Sequence, residues 1–155
     1  MPFVVGECVG PYRITRQLGV GGMATVWTAY HPALDIEPEH VKAHLGMGDA
    51  YLVQGELDAS AFHYQTVVDL DPEVPGPHAK LGMCQVLQGG VEMGRRECEI
   101  ALRMDPQVPE GLFCMGLHFV KQGDTERARS EFETVVETAP GVLAEQARRQ
   151  LDRLD

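Results

Sequence analysis

The sequence predicts an all-α array of three similar helix pairs, because residues of one kind recur at intervals of 34 positions. Two sets of glycines and one set of prolines keep this interval; they are Gly48, Gly82 and Gly116, then Gly55, Gly89 and Gly123, and finally Pro72, Pro106 and Pro140. On both sides of Gly55, Gly89 and Gly123, apolar residues recur at the spacing of one helix face. Each unit is therefore predicted to contain two helices and a short turn.

The first and third units show the helical pattern most clearly. In the first unit, the first helix is predicted to bury a stripe that includes Leu45 and Leu52, and to end at Gly55. The second helix buries a stripe that includes Tyr64 and ends before Pro72, which has no N–H to continue it. The matching stripes of the third unit are Phe113, Gly116, Phe119 and Val120, then Ala128, Phe132, Val135 and Val136.

The glycines of the first recurring set lie within predicted helices, where glycine costs about 1 kcal/mol relative to alanine. A packing reason is therefore expected at Gly48, Gly82 and Gly116, and we expect it to be close approach of the second helix of the same unit. The second helices of the first and third units open near Asp58 and Asp124, and acidic residues favour the positive end of a helix.

These units resemble the tetratricopeptide repeat, a 34-residue helix–turn–helix with glycine, aromatic and terminal proline residues at such positions. The resemblance covers repeats at 41–74, 75–108 and 109–142, and the last stretch, "GVLAEQARRQLDRLD", resembles the capping helix of such arrays, at 142–155. The small residue that opens each second helix is Ser60, Gly94 or Ala128. The resemblance implies that residues 37–155 form one domain, a right-handed α-solenoid of three helix pairs and a cap, which acts by binding other proteins.

In this family the first helix of each repeat lines a concave groove that holds the partner. By that resemblance the lining would be Lys42, Leu45, Asp49 and Leu52, then Ala79, Met83 and Val86, then Glu110, Phe113, Leu117 and Val120. The lining is mainly apolar and the chain has no asparagine, so the predicted ligand is an apolar or helical protein segment rather than a peptide carboxylate. The alternative is that these residues are covered by the chain's own N-terminal segment or by a second subunit.

The stretch "GPYRITRQLGVGGMATVWTAYHPALD" is similar to the first two strands of bacterial Ser/Thr protein kinases. In this resemblance Gly19, Gly21 and Gly22 form the glycine-rich turn, and Val26 lies on the second strand. Residues 1–36 are therefore predicted to be a kinase-like strand–loop–strand fragment. Because two isolated strands are only marginally stable in water, this fragment is expected to be either a β-hairpin-like segment or disordered.

The chain lacks the other parts that a protein kinase needs. It contains no H-R-D and no D-F-G sequence, which would supply the catalytic aspartate and a magnesium ligand. Lys42 stands at a suitable distance for the phosphate-binding lysine, but it falls within the first predicted repeat helix. The prediction is a non-enzymatic scaffold without a cofactor, related by ancestry to bacterial Ser/Thr kinase signalling. The alternative is a nucleotide-binding regulatory fragment of such a kinase, which would use Gly19, Gly21, Gly22 and Val26.

Composition narrows the remaining classes of function. The net charge is −10, and residues 37–155 carry 11 basic and 21 acidic residues, so nucleic acid and anionic membranes are disfavoured as partners. The sequence shows no signal-peptide pattern and no C-x-x-C pair, which predicts a cytoplasmic protein whose four cysteines are reduced. His40 and His44 share a helix face, but they have no clear third ligand, so no metal site is predicted.

Overall fold

The computed structural model describes residues 41–155 in full, together with the backbone of residues 8–9, 12–21 and 24–30. Residues 1–40 and 41–155 are two separate compact units. In the first unit, the strands β1 (Cys8–Val9), β2 (Tyr12–Gly21) and β3 (Ala24–Tyr30) pair antiparallel in the order β1-β2-β3. Gly19 lies opposite Val26 in this sheet, and Gly21 lies opposite Ala24. Gly22 lies outside the described residues.

The second unit consists of seven α-helices, and residues 41–155 contain no strand. Three helix pairs and a final helix follow one another along the chain, as the 34-residue interval predicts. Their bounds are α1 (Val41–Gln54), α2 (Leu57–Leu70), α3 (Pro75–Leu87), α4 (Val91–Met104), α5 (Pro109–Gln122), α6 (Thr125–Thr138) and α7 (Val142–Leu154). None of the described helices is long and apolar enough to cross a membrane.

The predicted turns and helix ends are confirmed. Gly55, Gly89 and Gly123 follow the first helix of each pair with φ values of 77°, 93° and 75°, a left-handed conformation that other residues adopt only with strain. Pro75 and Pro109 occupy the first turn of α3 and α5, where a missing N–H costs no hydrogen bond. These glycines and prolines therefore mark helix boundaries, whereas the glycines of the other set, Gly48, Gly82 and Gly116, lie inside α1, α3 and α5.

Within the first helix pair, and again within the third, a close contact between a glycine and an aromatic ring joins the two helices. A Cβ atom added to Gly48 would lie 2.6 Å from the Tyr64 ring, and one added to Gly116 would lie 2.6 Å from the Phe132 ring. Both rings are fully buried. The expected reason for glycine inside these helices is thus confirmed, because only a residue without a side chain leaves room for the ring of the paired helix.

The second helix pair replaces the ring with a sulfur atom. Cys98 stands at the position of Tyr64 and Phe132 in the 34-residue interval, and its Sγ would lie 2.9 Å from a Cβ added to Gly82. Cys114 of α5 reaches the same place, with its Sγ 3.0 Å from that Cβ, and the Cα atoms of Cys98 and Cys114 are 5.9 Å apart, a separation that suits a disulfide.

The expectation that all cysteines are reduced stays a prediction for this pair, because the structure shows that the two side chains meet and not that they are oxidised. It considered spacing along the chain alone, whereas the two cysteines meet through the stacking of successive repeats. Cys84 does remain a buried free thiol near the Ser60 hydroxyl, with Sγ 3.5 Å from Oγ, and burial raises the pKa of this thiol.

Candidate functional site

A cleft lies where the first helices of the three pairs meet the last helix. Its walls come from α1, α3, α5 and α7, and it encloses a cavity of about 300 Å³. We call it the inner cleft; its lining residues are Asp49, Leu52, Val53, Lys80, Met83, Glu110, Val142, Leu143 and Gln146. A cavity of this size is at the lower end of the range for ligand sites and is large enough for one or two side chains.

Most of the lining of the inner cleft is aliphatic. Leu52 and Val53 approach from α1, Met83 from α3, and Val142 and Leu143 from the start of α7. Two of these side chains are largely in water, because Val53 is 89% exposed and Val142 is 70% exposed. Exposed aliphatic side chains grouped around a cavity are typical of a surface that binds another protein.

A hydrogen-bonded junction occupies one side of the inner cleft. Asp49 Oδ1 accepts hydrogen bonds from Tyr64 Oη and from Lys80 Nζ, each at 2.6 Å. The Lys80 ammonium also lies 5.7 Å from the centre of the Tyr64 ring, a cation–π distance. Burial, followed by the hydrogen bond and the negative charge of Asp49, raises the pKa of Tyr64, so the phenol stays neutral and donates. Asp49 thereby connects α1 with both α2 and α3.

The opposite side of the inner cleft carries one further charge, Glu110. It is the second residue of α5 and is half-buried. A carboxylate is stabilised in the first turn of a helix by the backbone dipole, which explains how it is tolerated there. Within the part of the chain that the structure describes, Glu110 forms no ion pair, whereas Asp49 is neutralised by Lys80. The inner cleft therefore has one uncompensated negative charge.

The structure distributes the predicted groove residues over three places. Asp49, Leu52, Met83 and Glu110 line the inner cleft. Lys42 is exposed on α1 away from it, and Leu45 and Val120 pack partly buried against the core. The other four are core residues that do not line the inner cleft: Ala79, Val86, Phe113 and Leu117. Met83 is equally buried, at 6% exposed, although it is one of the lining residues.

Five lining residues were absent from the sequence prediction: Val53, Lys80, Val142, Leu143 and Gln146. Val53 stands four positions after Asp49 and Lys80 three positions before Met83, so each lies on the same helix face as a predicted residue. The three residues of α7 depend on where the capping helix docks, which is a long-range contact. The exposed valine at the start of that helix is the one signal that could have indicated it.

The other candidate sites receive less support from the described residues. Lys42 lies in α1, as the repeat interval predicts, and not in a strand. The side chain of His44 approaches His63 of α2, with their Nδ1 atoms 2.8 Å apart. Among the fully described residues, no group of three or more His, Cys, Asp or Glu is placed to hold a metal ion. His40 and the side chains of the glycine-rich stretch lie outside the described residues, so the nucleotide-binding hypothesis stays a prediction.

Comparison with known proteins supports the repeat assignment. A sequence model described as "Tetratricopeptide repeat" matches residues 28–75. A comparison with curated protein sequences finds no match. Among solved structures, the first tetratricopeptide domain of Spaghetti (RPAP3), bound to an HSP90 peptide of sequence SRMEEVD, aligns with a TM-score of 0.58 at 18% identity, covering 74% of this chain and 89% of that one. The fold is that of a tetratricopeptide array.

Two further structures agree with this assignment at equally low identity. MamA aligns with a TM-score of 0.59 at 17% identity, over 81% of this chain and 82% of its own. The TPR2B domain of yeast Sti1, in its pHsp70 complex, aligns with a TM-score of 0.58 at 12% identity, over 74% and 91%. The chain thus shares its fold with the first tetratricopeptide domain of Spaghetti (RPAP3) in its HSP90-peptide complex and with the TPR2B domain of yeast Sti1 in its pHsp70 complex.

Proposed function

We propose that the tetratricopeptide array binds an apolar or helical segment of a partner protein in the inner cleft and acts as a scaffold without enzymatic activity. The observation that carries the proposal is the pair of exposed valines, Val53 and Val142, on either side of a cavity of about 300 Å³. Covering such side chains removes apolar surface from water, which is the main driving force of protein association. Solved structures of similar fold include complexes with peptides, which supports an interaction role.

The proposal also assigns the chain to the cytoplasm of a bacterium and relates it by ancestry to Ser/Thr kinase signalling. The support for this relation is the sequence resemblance of residues 10–35 to the first two kinase strands. The alternative role of that segment, nucleotide binding, predicts a higher melting temperature in millimolar MgATP. An unchanged melting temperature would remove this alternative.

The binding proposal is tested by selecting ligands for the full chain from a displayed library of random peptides. Val142→Asp places a charge in the wall of the inner cleft at an exposed position, where an acidic residue suits the start of α7. It should weaken the selected peptides by about tenfold or more, because a charge would be buried against an apolar side chain. Met93→Asp is the matched control, since Met93 is 61% exposed and also lies in the first turn of its helix, outside the cleft.

Equal loss of binding in the two variants, or none in either, would contradict the proposed site. Two other occupants of the inner cleft are distinguished in the same experiment. If residues 1–36 occupy it, peptide binding displaces them and shifts the emission of Trp27, the single tryptophan of the chain. If a second copy occupies it, Val142→Asp lowers the mass of the particle in solution and the Trp27 emission follows the protein concentration.

A further inference from the structure

The charged residues of the inner cleft indicate which charge a bound segment should carry, which its apolar wall does not. Asp49 is held by the Tyr64 hydroxyl and by the Lys80 ammonium at 2.6 Å, so it is already compensated within the array. Glu110 has no ion-pair partner in the described part of the chain, and it stands at the edge of an aliphatic surface. A partner that covers this surface therefore meets one unpaired carboxylate.

We propose that the bound segment carries a lysine or arginine among its apolar residues, and that this cation pairs with Glu110. The proposal rests on the proposed function, because it concerns the ligand of the same cleft. A purely apolar segment would strip water from the Glu110 carboxylate and return no hydrogen bond, which penalises binding. An acidic segment would add repulsion. A basic side chain replaces the lost water with a charge-assisted hydrogen bond, and arginine can make two.

This ligand differs in charge from the peptide seen with a protein of similar fold. That peptide, SRMEEVD, ends in three acidic residues among its last four. Among the described residues that line the inner cleft, Lys80 is the one cation, and it already binds Asp49. The surroundings add to the effect, since residues 41–155 contain 11 basic and 19 acidic residues. Both the local and the general field of the array thus favour a basic segment over an acidic one.

The experiment compares the peptides that three forms of the full chain select from the random displayed library. The forms are the wild type, Glu110→Gln and Glu126→Gln. The last is a matched control: Glu126 is the second residue of α6 as Glu110 is of α5, it is exposed outside the inner cleft, and its substitution changes the net charge equally. Lysine and arginine should be enriched by the wild type and by Glu126→Gln, and not by Glu110→Gln.

The affinity of one selected peptide then gives the size of the effect. Replacing its basic residue with glutamine should raise the Kd for the wild type about tenfold, equivalent to about 1.4 kcal/mol, in a fluorescence anisotropy titration. The same replacement should leave the Kd of Glu110→Gln unchanged. Glu110→Lys should reverse the preference and select peptides with glutamate or aspartate, which a merely structural role of Glu110 would not produce.

The outcomes separate this inference from the proposed function. Equal enrichment of basic residues by Glu110→Gln would mean that the net charge alone attracts them, and would overturn the inference. Apolar peptides without a basic residue, whose binding is lost in Val142→Asp, would overturn it while the proposed function stands. Selection of no peptide whose binding depends on Val142 would overturn both.

Discussion

Substitution of Gly116 by alanine tests the contact that holds the third helix pair together. A single methyl group placed on Gly116 would meet three carbon atoms of the Phe132 ring at 2.6, 2.8 and 2.9 Å, all shorter than a normal contact. Phe132 is completely buried, so the ring has no free space to enter. Either the ring leaves its rotamer or α5 moves away from α6, and both responses cost packing energy.

Two effects of opposite sign set the magnitude for Gly116→Ala. Overpacking of a core typically costs about 1–3 kcal/mol, and alanine gains up to about 1 kcal/mol over glycine inside a helix. We therefore expect a net loss of about 1 kcal/mol, and up to about 2 kcal/mol, in the free energy of unfolding. In a Phe132→Leu background the ring is absent, and the same Gly116→Ala change should be neutral or stabilising.

Urea denaturation followed by circular dichroism measures all four members of this cycle. Gly46→Ala provides the control, because a Cβ at Gly46 in α1 would meet nothing within 4 Å. It should raise the stability by about 0.5–1 kcal/mol through helix propensity alone. If Gly116→Ala were as stable as Gly46→Ala, or if its effect were the same with and without the ring, the close contact between α5 and α6 would be refuted.

Two further predictions concern pairs of side chains. Burial and the charge of His44 lower the pKa of His63, so the folded state binds fewer protons than the unfolded state and stability should fall as the pH drops below about 6.5. The second repeat has Glu97 at the position of His63, and its Oε2 lies 2.7 Å from Nδ1 of His78. His63→Glu would copy this pair and should flatten the dependence of melting temperature on pH, and an unchanged slope would contradict this prediction. Cys98 and Cys114 are placed to form a disulfide that would close a loop with a sequence separation of 16, so a reductant should lower the unfolding free energy of the oxidised protein by about 3 kcal/mol. A double alanine variant should not respond to the reductant, and a wild type that is equally unresponsive would show that the bond does not form.

The fold could be predicted from sequence because every repeat contains its own boundary signals. Gly55 and its equivalents end the first helices, prolines follow the second helices, and each helix pair buries a stripe whose spacing is local information. The position of α7 also followed, since Gly141 and a helical pattern come directly after the third repeat. The contact between Cys98 and Cys114 could not be predicted from the sequence, because the two cysteines meet only when successive repeats are stacked.

The binding surface was harder to predict for a physical reason. In α3 and α5 the apolar residues face both the second helices and the neighbouring repeats, so more than one side of each helix is buried. Hydrophobic periodicity then cannot separate a core residue such as Val86 or Phe113 from a lining residue such as Leu52, since both lie on apolar stripes. Of the three charged residues of the predicted set, Asp49 and Glu110 line the inner cleft and Lys42 does not.

The contact between glycine and a ring bears on whether the repeats can be exchanged. The first and third repeats each contain both parts of this contact, Gly48 with Tyr64 and Gly116 with Phe132. Each can therefore be moved to another array and keep the contact between its two helices. The second repeat places Cys98 beside Gly82 and depends on Cys114 from the repeat that follows. The second repeat therefore needs the third repeat after it, whereas the third does not need the second before it. Duplication, deletion or shuffling of units would keep the second repeat well packed only when the third repeat follows it.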